Sequence, residues 1–191
     1  MENIDLNKIK KTYNQQKAKI KKRVVICGGT GCIANGSMDV YHEFVNQIKE
    51  SGLDVIIELN EHTCVDDKKD SILLTGSGCQ GFCAQGPLVN IYPDEVLYVK
   101  VHPENVKEIV QNTLINDDVI DELLYVNTVT KEKSKGCNEI PFYNRQERGV
   151  LEACGNLDPE NIEKYISRDG YQAARKAFTE KSSKRILSNS Y

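Results

Sequence analysis

The chain has 191 residues, a formal net charge of −3 and seven cysteines. This length suits one domain with an extension, or two small domains. No apolar run is long enough to span a membrane, and the first residues lack the apolar core of a secretory signal. The cysteine spacings suit metal ligation better than a secreted disulfide framework, so we expect a cytoplasmic, reducing setting.

The sequence predicts a basic N-terminal helix over residues 1–22. The first 23 residues hold eight Lys or Arg side chains against Glu2 and Asp5, with a sparse apolar face. This pattern is typical of a solvated surface helix, and the alternative is an arm that docks on an acidic partner subunit. We do not expect nucleic-acid binding, because no interleaved aromatic residues and no second basic patch support it.

The sequence predicts an α/β sandwich over residues 23–115, with a β-α-β unit followed by a β-β-α unit. Strands are predicted at 24–27, 54–59, 71–75, 88–92 and 96–101. One helix is predicted from Ser37, a suitable N-cap, to Gly52, and a second over 103–114. Pro87 is a candidate for a cis proline. This order of elements resembles a thioredoxin-like sandwich.

Two glycine-rich loops, each shortly after a predicted buried strand, carry a pair of cysteines. Cys27 and Cys32 are spaced C-x4-C, whereas Cys79 and Cys83 are spaced C-x3-C. Glycines in such loops tolerate unusual backbone angles and let N–H groups approach sulfur atoms closely. Four thiolates are the ligand set of an iron–sulfur cluster. The sequence therefore predicts one [2Fe–2S] cluster bound by these four residues, with two thiolates on each iron.

A dinucleotide site is one alternative for these loops. Residues 29–34 match G-x-G-x-x-A, with Glu58 at the end of the next strand, and residues 76–81 match G-x-G-x-x-G. In the second loop, Pro87 and the following strand leave no helix to receive a pyrophosphate. In the first loop, a helix that starts at Ser37 begins too late for a tight turn.

The four loop cysteines could instead form a structural zinc site or a thiol redox site. The C-x4-C and C-x3-C spacings are tolerable but not typical for zinc, and the C-x-x-C motif usual for thiol redox chemistry is absent. The remaining cysteines, Cys64, Cys137 and Cys154, have no partner at ligand spacing. We expect them to be structural or free thiols.

The rest of the chain predicts a connection and a small helical extension. Residues 116–139 are expected to form a short helix, up to residue 125, and a polar linker. Residues 140–191 are expected to form one helix that starts at Asp158 and Pro159, a second over 171–178, and a tail without periodicity.

The residues also show a resemblance to a known family. Residues 28–32 (GGTGC) and 81–87 (GFCAQGP) resemble the thioredoxin-like [2Fe–2S] ferredoxins, especially the N-terminal part of the NADH- and flavin-binding subunit of multimeric, electron-bifurcating bacterial hydrogenases. Residues 140–146 (IPFYNRQ) and 154–160 (CGNLDPE) resemble the segment that opens the flavoprotein domain of those subunits and of respiratory complex I. The likeness covers about residues 20–178.

This resemblance implies a one-electron relay subunit of an NAD(P)-linked oxidoreductase, with flavoprotein and iron–sulfur subunits as its partners. The long NADH and FMN domain of the family does not follow in this chain, so no FMN or NAD site is expected and the chain is not expected to be catalytic alone. The alternative is a non-catalytic assembly or binding module that keeps the ferredoxin fold.

Residues 140–178 are expected to be part of the interface with those partners. Apolar residues of this stretch, such as Phe142, Leu151 and Phe178, lack the cover that a flavoprotein domain would give. The alternative is that the helices fold back on the sandwich of a monomeric protein.

Overall fold

A five-stranded mixed sheet lies at the centre of the computed structural model, which describes residues 4–57, 59–60, 62–63, 65 and 71–180. The strands are β1 (Lys22–Cys27), β2 (Asp54–Ile56), β3 (Ser71–Ser77), β4 (Val89–Tyr92) and β5 (Val96–Tyr98). Their order in the sheet is β2-β3-β1-β4-β5. The central strand, β1, pairs in parallel with β3 and antiparallel with β4. Because β1 is covered on both faces, its residues form a nearly continuous apolar run.

Seven α-helices surround this sheet in the described residues. They are α1 (Leu6–Lys17), α2 (Thr30–Ala34), α3 (Ser37–Glu50), α4 (Pro103–Ile109), α5 (Pro141–Asn144), α6 (Ile162–Ser167) and α7 (Gln172–Glu180). Helix α4 continues into a π-helical turn over Val110–Ile115. None of the helices in these parts of the chain has the length and apolar character needed to cross a membrane.

Two layers of side chains cover the sheet. On one face, α3 buries Val40, Phe44 and Ile48, which are spaced four residues apart and so share one side of the helix. They join a fully buried cluster with the inward residues of the sheet and with α4. On the other face, Tyr13 of α1 packs against Leu73 of β3. The molecule is therefore an α/β sandwich, as the sequence predicts, whereas the third layer formed by α1 is not predicted.

The predicted elements hold with shifted ends. Helix α3 starts at Ser37, but Gly36 rather than Ser37 is its N-cap, and Gly52 follows its end with a φ of +79°. Strand β3 is longer than predicted, whereas β2 ends at Ile56. The peptide bond before Pro87 is cis, in agreement with the prediction. Glu58, Cys64 and the tail beyond residue 180, for which the sequence makes predictions, lie outside the described residues.

The expectation for residues 116–139 is wrong. Instead of a helix, the structure has a 3-10 turn at Asp121–Leu123, and the Leu123 carbonyl accepts a hydrogen bond from Val99 N–H at 2.9 Å. Instead of a free linker, β6 (Tyr125–Val126) and β7 (Lys133–Ser134) form a small hairpin. The Lys135 carbonyl then accepts from Leu97 N–H at 2.8 Å. Backbone pairing with the edge strand β5 therefore overrides the local helical pattern.

Residues 140–180, called here the C-terminal segment, fold back on the sandwich. Ile140 is completely buried, and Tyr92 O–H donates to Asn156 Oδ1 at 2.9 Å. Helix α6 starts at Ile162 rather than at residue 158, because Asp158 instead accepts a hydrogen bond from the Thr75 hydroxyl at 2.9 Å. The alternative of a segment folded against the sandwich is thus what the described residues show.

Candidate metal centre

Both cysteine loops leave the sheet at the carboxyl ends of two neighbouring parallel strands. Strands β1 and β3 run in parallel with Cys27 opposite Ser77, so the loop after each strand starts at the same end. Cys32 follows in the short helix α2, and Cys83 opens a 3-10 turn. The pairing of two parallel strands thus brings together two cysteine pairs that are far apart in sequence.

The two loops interlock through glycines that have no room for a side chain. A Cβ on Gly86 would lie 2.6 Å from the sulfur of Cys32, and a Cβ on Gly29 would lie 3.0 Å from the sulfur of Cys79. A contact of 2.6 Å is essentially never seen for a real Cβ atom, and one of 3.0 Å is unusually tight, so Gly86 is the more strictly required of the two glycines. Each pair of cysteines is therefore packed against the backbone of the other loop.

The two pairs differ sharply in exposure. Cys27 and Cys32, the inner pair, are each 1 % exposed and pack in an apolar cluster with Leu88 and Ile140. Cys79 and Cys83, the outer pair, are exposed. A metal group held between the pairs would have one side inside the protein and one side at the surface.

The thiols of each pair perturb one another. A hydrogen bond from Cys32 lowers the pKa of Cys27 to about 6, and the same bond raises the pKa of Cys32. The negative charge of Cys79 raises the pKa of Cys83. Repulsion from neighbouring thiolates opposes the ionisation of Cys32 and Cys83, and bound cations remove that repulsion. The donor set therefore fits a cationic group.

The four loop cysteines are arranged as two pairs rather than as one group of four, and this arrangement matches a two-iron centre. In the described part of the chain, no three His, Cys, Asp or Glu side chains are grouped to hold one metal ion. A [2Fe–2S] cluster needs only two thiolates on each iron, whereas a structural zinc ion needs about four ligands at one point. The arrangement fits the cluster better than zinc.

The outer loop supplies a backbone hydrogen bond to sulfur and an aromatic neighbour. Gly81 N–H donates to Cys79 Sγ at 3.3 Å. The ring of Phe82 stacks on Phe142 with centroids 4.7 Å apart and planes 11° apart. Phe142 belongs to the C-terminal segment, which therefore borders the outer pair.

The remaining described cysteines, Cys137 and Cys154, make other contacts. Cys137 Sγ donates to Asn90 Oδ1 at 3.5 Å, and burial raises the pKa of this thiol. Cys137 and Cys154 both line a cavity of about 410 Å³ between the sheet and the C-terminal segment. Cys137 also packs against the apolar cluster that contains Cys27 and Cys32. That Cys137 and Cys154 are not ligands therefore stays a prediction.

The dinucleotide alternative gains nothing from the structure, although one argument against it is wrong. A helix does begin inside the first loop, since α2 starts at Thr30. This helix has only five residues. Gly29 in front of it lies against Cys79, and Gly31 in its first turn lies against Cys83. The backbone that would hold a pyrophosphate is thus occupied by the second cysteine loop.

Comparison with known proteins agrees with this geometry. A family model described as thioredoxin-like [2Fe-2S] ferredoxin matches residues 1–114. The chain belongs to this family. The chain binds one [2Fe–2S] cluster and has an iron–sulfur electron-transfer role, with the thioredoxin-like α/β fold predicted from its sequence.

Two curated relatives and a solved structure are similar to this ferredoxin. The 2Fe-2S ferredoxin of Clostridium pasteurianum is 28% identical over 103 residues, which are 54% of this chain and 94% of that protein. The 2Fe-2S ferredoxin of Aquifex aeolicus (strain VF5) is 30% identical over 105 residues, 55% of this chain and 78% of that protein. The 1.5 Å crystal structure of the wild-type thioredoxin-like [2Fe-2S] ferredoxin from Aquifex aeolicus has 27% identity and a TM-score of 0.43, and the match covers 56% of this chain and 99% of that one.

Sequence reasoning did not find one residue at the site. Arg148, in the C-terminal segment, donates from Nη2 to the Gln80 carbonyl at 3.1 Å, directly beside Cys79. Nothing in the local sequence around Arg148 signals this contact, because it depends on the C-terminal segment folding back over the sandwich.

Proposed function

We propose that Cys27, Cys32, Cys79 and Cys83 are the four ligands of the [2Fe–2S] cluster. The observation that carries this proposal is the interlocking of the two loops at one edge of the sheet, where Gly29 lies against Cys79 and Gly86 against Cys32. Bound there, the cluster supplies one-electron transfer without making or breaking bonds in a substrate. The inner pair anchors it in the protein, and the outer pair places it at the surface.

We further propose that the chain is a relay subunit of a multi-subunit NAD(P)-linked oxidoreductase of the hydrogenase or electron-bifurcating type. The support is the resemblance of residues 140–146 and 154–160 to the start of a complex I-type flavoprotein domain. A relay with one centre needs a donor and an acceptor close to that centre. The exposed outer pair offers such an approach, with Phe142 and the rest of the C-terminal segment beside it.

The partners proposed for this relay are flavoprotein and iron–sulfur subunits in a reducing compartment such as the cytoplasm. The chain itself would neither bind FMN nor oxidise NADH. Its own residues would hold the cluster, limit the access of water to the inner pair and present the outer pair to a partner.

Affinity purification from the native cell under anaerobic, low-salt conditions tests the proposed complex. We expect redox subunits to co-purify, and NADH–dye reductase activity to be found in the complex and not in the pure chain. A monodisperse monomer that brings down no redox subunit would contradict the complex. Robust NADH–dye activity of the pure chain without added FMN would contradict the relay role.

A second candidate function is a non-catalytic assembly or binding module. It is favoured by exposed apolar side chains on the C-terminal segment, since Val150 is 100 %, Leu151 60 % and Phe178 87 % exposed. A chain that carries Cys79→Ala and Cys83→Ala separates the two functions. The relay predicts that the complex assembles but loses electron transfer through this subunit, whereas the module predicts a complex with unchanged activity.

A further inference from the structure

Arg148 connects the C-terminal segment to the outer cysteine loop. Its Nη2 donates to the carbonyl of Gln80, the residue directly after Cys79, at 3.1 Å. A Cβ on Gly81 would lie 3.2 Å from the same nitrogen, so the guanidinium also lies against the next residue of the loop. A cation from outside the matched family region thus contacts the loop between Cys79 and Cys83.

The contacted carbonyl shares a peptide group with an N–H that points to sulfur. The C=O of Gln80 and the N–H of Gly81 belong to one peptide unit, and that N–H donates to Cys79 Sγ at 3.3 Å. Successive hydrogen bonds polarise one another. A guanidinium at the carbonyl end therefore makes the N–H at the other end a stronger donor and fixes its direction.

Arg148 places a positive charge in a partly buried position. Within the described stretches, no carboxylate forms a salt bridge with Arg148. The guanidinium is half-buried, and it lies over the ring of Tyr143 at 5.4 Å from the centroid. Burial limits the screening of this charge by water, so it acts on its surroundings more strongly than an exposed arginine does.

We propose that Arg148 is a positioning residue that raises the reduction potential of the cluster. It does so by polarising the Gln80–Gly81 peptide toward Cys79 and by adding positive charge beside the outer pair. Reduction adds one electron, and both effects stabilise the more negative, reduced form. The inference rests on the proposed ligand set, and it gives the C-terminal segment a role in the electron transfer itself.

The test compares Arg148→Gln with Arg145→Gln in the full-length, reconstituted chain. Both variants lose one positive charge, but Arg145 is exposed, and within the described stretches its side chain makes no hydrogen bond to the cysteine loops. The midpoint potential is measured by anaerobic titration with dithionite and mediators, followed by visible and EPR spectroscopy. We expect Arg148→Gln to shift the reduction equilibrium about tenfold toward the oxidised form, which is about 59 mV for one electron, and Arg145→Gln to keep the wild-type value.

Equal potentials for the wild type and Arg148→Gln overturn the inference, as do equal shifts in the two variants. If Arg148→Gln does not fold, Arg148→Met, which keeps an apolar stem against Tyr143, is titrated in its place and has to meet the same criterion. If the wild type holds the cluster and the Arg148 variant has the same midpoint potential, this inference alone is overturned and the proposed ligand set stands. A wild-type chain that holds no [2Fe–2S] cluster overturns the proposed ligand set, and this inference with it.

Discussion

The sandwich and the C-terminal segment are held in place by different interactions. In the sandwich, side chains such as Phe44 and Ile72 are completely buried in one apolar cluster. Among the described residues of the C-terminal segment, the buried aliphatic side chains are Ile140 and Ile166. Polar contacts also join the segment to the sandwich, among them Gly78 N–H to the Leu157 carbonyl at 3.3 Å and the Lys10–Asp169 ion pair at 2.6 Å. Apolar burial is the larger and more robust stabilising term, so the segment is the part that is easier to alter without unfolding the protein.

The proposed cluster site lies across this boundary. The inner pair belongs to the sandwich, where Cys27 and Cys32 are buried among apolar side chains. The outer pair is exposed and has Phe142 and Arg148 of the C-terminal segment next to its loop. Changes in the sandwich should therefore affect cluster binding and folding, whereas changes in the segment should affect the properties of a cluster that still binds.

The largest effect is expected from the ligand cysteines. Cys27→Ala and Cys79→Ala should each lose the cluster, because removing one thiolate leaves one iron without a ligand. The metal-free chains should differ, since Cys27 is buried and its replacement costs about 1 kcal/mol of unfolding free energy, while exposed Cys79 is replaced within about 0.5 kcal/mol. Iron and sulfide analysis with urea unfolding of the apo chains measures both.

Cys137→Ala and Cys154→Ala are the controls for this series, and both should keep a full cluster. A normal cluster in Cys79→Ala, or a lost cluster in either control, would show that the ligand set is assigned incorrectly.

Gly86, where the second cysteine loop contacts Cys32 of the first, gives the next largest expected effect. Gly86→Ala places a Cβ 2.6 Å from Cys32 Sγ, so the inner ligand has to move. We expect a low cluster content and a loss of about 1–3 kcal/mol, the usual cost of overpacking. Gly78→Ala is the matched control, because a Cβ there meets nothing within 4 Å. Equal cluster contents in the two variants would contradict the close approach of the loops.

A buried lysine in helix α6 of the C-terminal segment should lower the stability of the protein in a pH-dependent way. Lys164 is 8 % exposed, and no hydrogen-bond partner of its Nζ is found among the described residues. Loss of hydration, with smaller contributions from Arg23, Lys17 and Arg168, lowers its pKa from 10.5 to about 8, and only Asp158 opposes this. Between pH 8 and 10.5 the unfolded chain holds more protons than the folded one, so stability rises with pH.

Lys164→Met should therefore stabilise the protein by about 1–3 kcal/mol at pH 7, and this gain should shrink as the pH rises from 8 toward 10.5. Thermal unfolding across this pH range measures the gain. Lys176→Met, an exposed lysine on α7, is the control and should show neither effect. A gain that does not depend on pH would contradict the account of the buried charge.

The smallest effect is expected at the aromatic contact beside the outer pair. Phe142→Ala removes the ring stacked on Phe82 and should cost about 0.5–1.5 kcal/mol. The cluster should still bind, but it should be lost to oxygen or a chelator a few-fold faster. Phe178→Ala is the control, because that side chain is 87 % exposed. Identical decay of the cluster absorbance in the two variants would contradict a protective role of Phe142 at the outer pair.

Prediction from sequence succeeded where the determining pattern is local. The apolar runs of β1 and β3, the four-residue spacing on α3 and the C′ glycine Gly52 are each visible within a few residues. The cysteine pairs could be matched because each follows a buried strand, and parallel strands place their ends at one edge of the sheet. These features are specified by nearest neighbours in the chain.

Prediction failed where distant backbone groups decide the structure. Residues 116–125 carry a helical pattern and residues 127–139 the pattern of a polar linker. Their backbone carbonyls instead accept hydrogen bonds from Leu97 in the edge strand β5 and from Val99 just after it. The short helix α2 was not expected, because its glycine-rich sequence has low helical propensity. The contact of Arg148 with Gln80 depends on the whole C-terminal segment folding back, which no local pattern of residues specifies.

The most direct test of the four-cysteine site is quantitative analysis of iron, zinc and acid-labile sulfide in the anaerobically purified wild type and in Cys79→Ala, with EPR spectra after reduction by dithionite. We predict about two iron and about two sulfide per wild-type chain with the spectrum of one reduced [2Fe–2S] cluster, and none of these in the variant. Stoichiometric zinc without sulfide in the wild type, or a complete cluster in Cys79→Ala, would contradict the account.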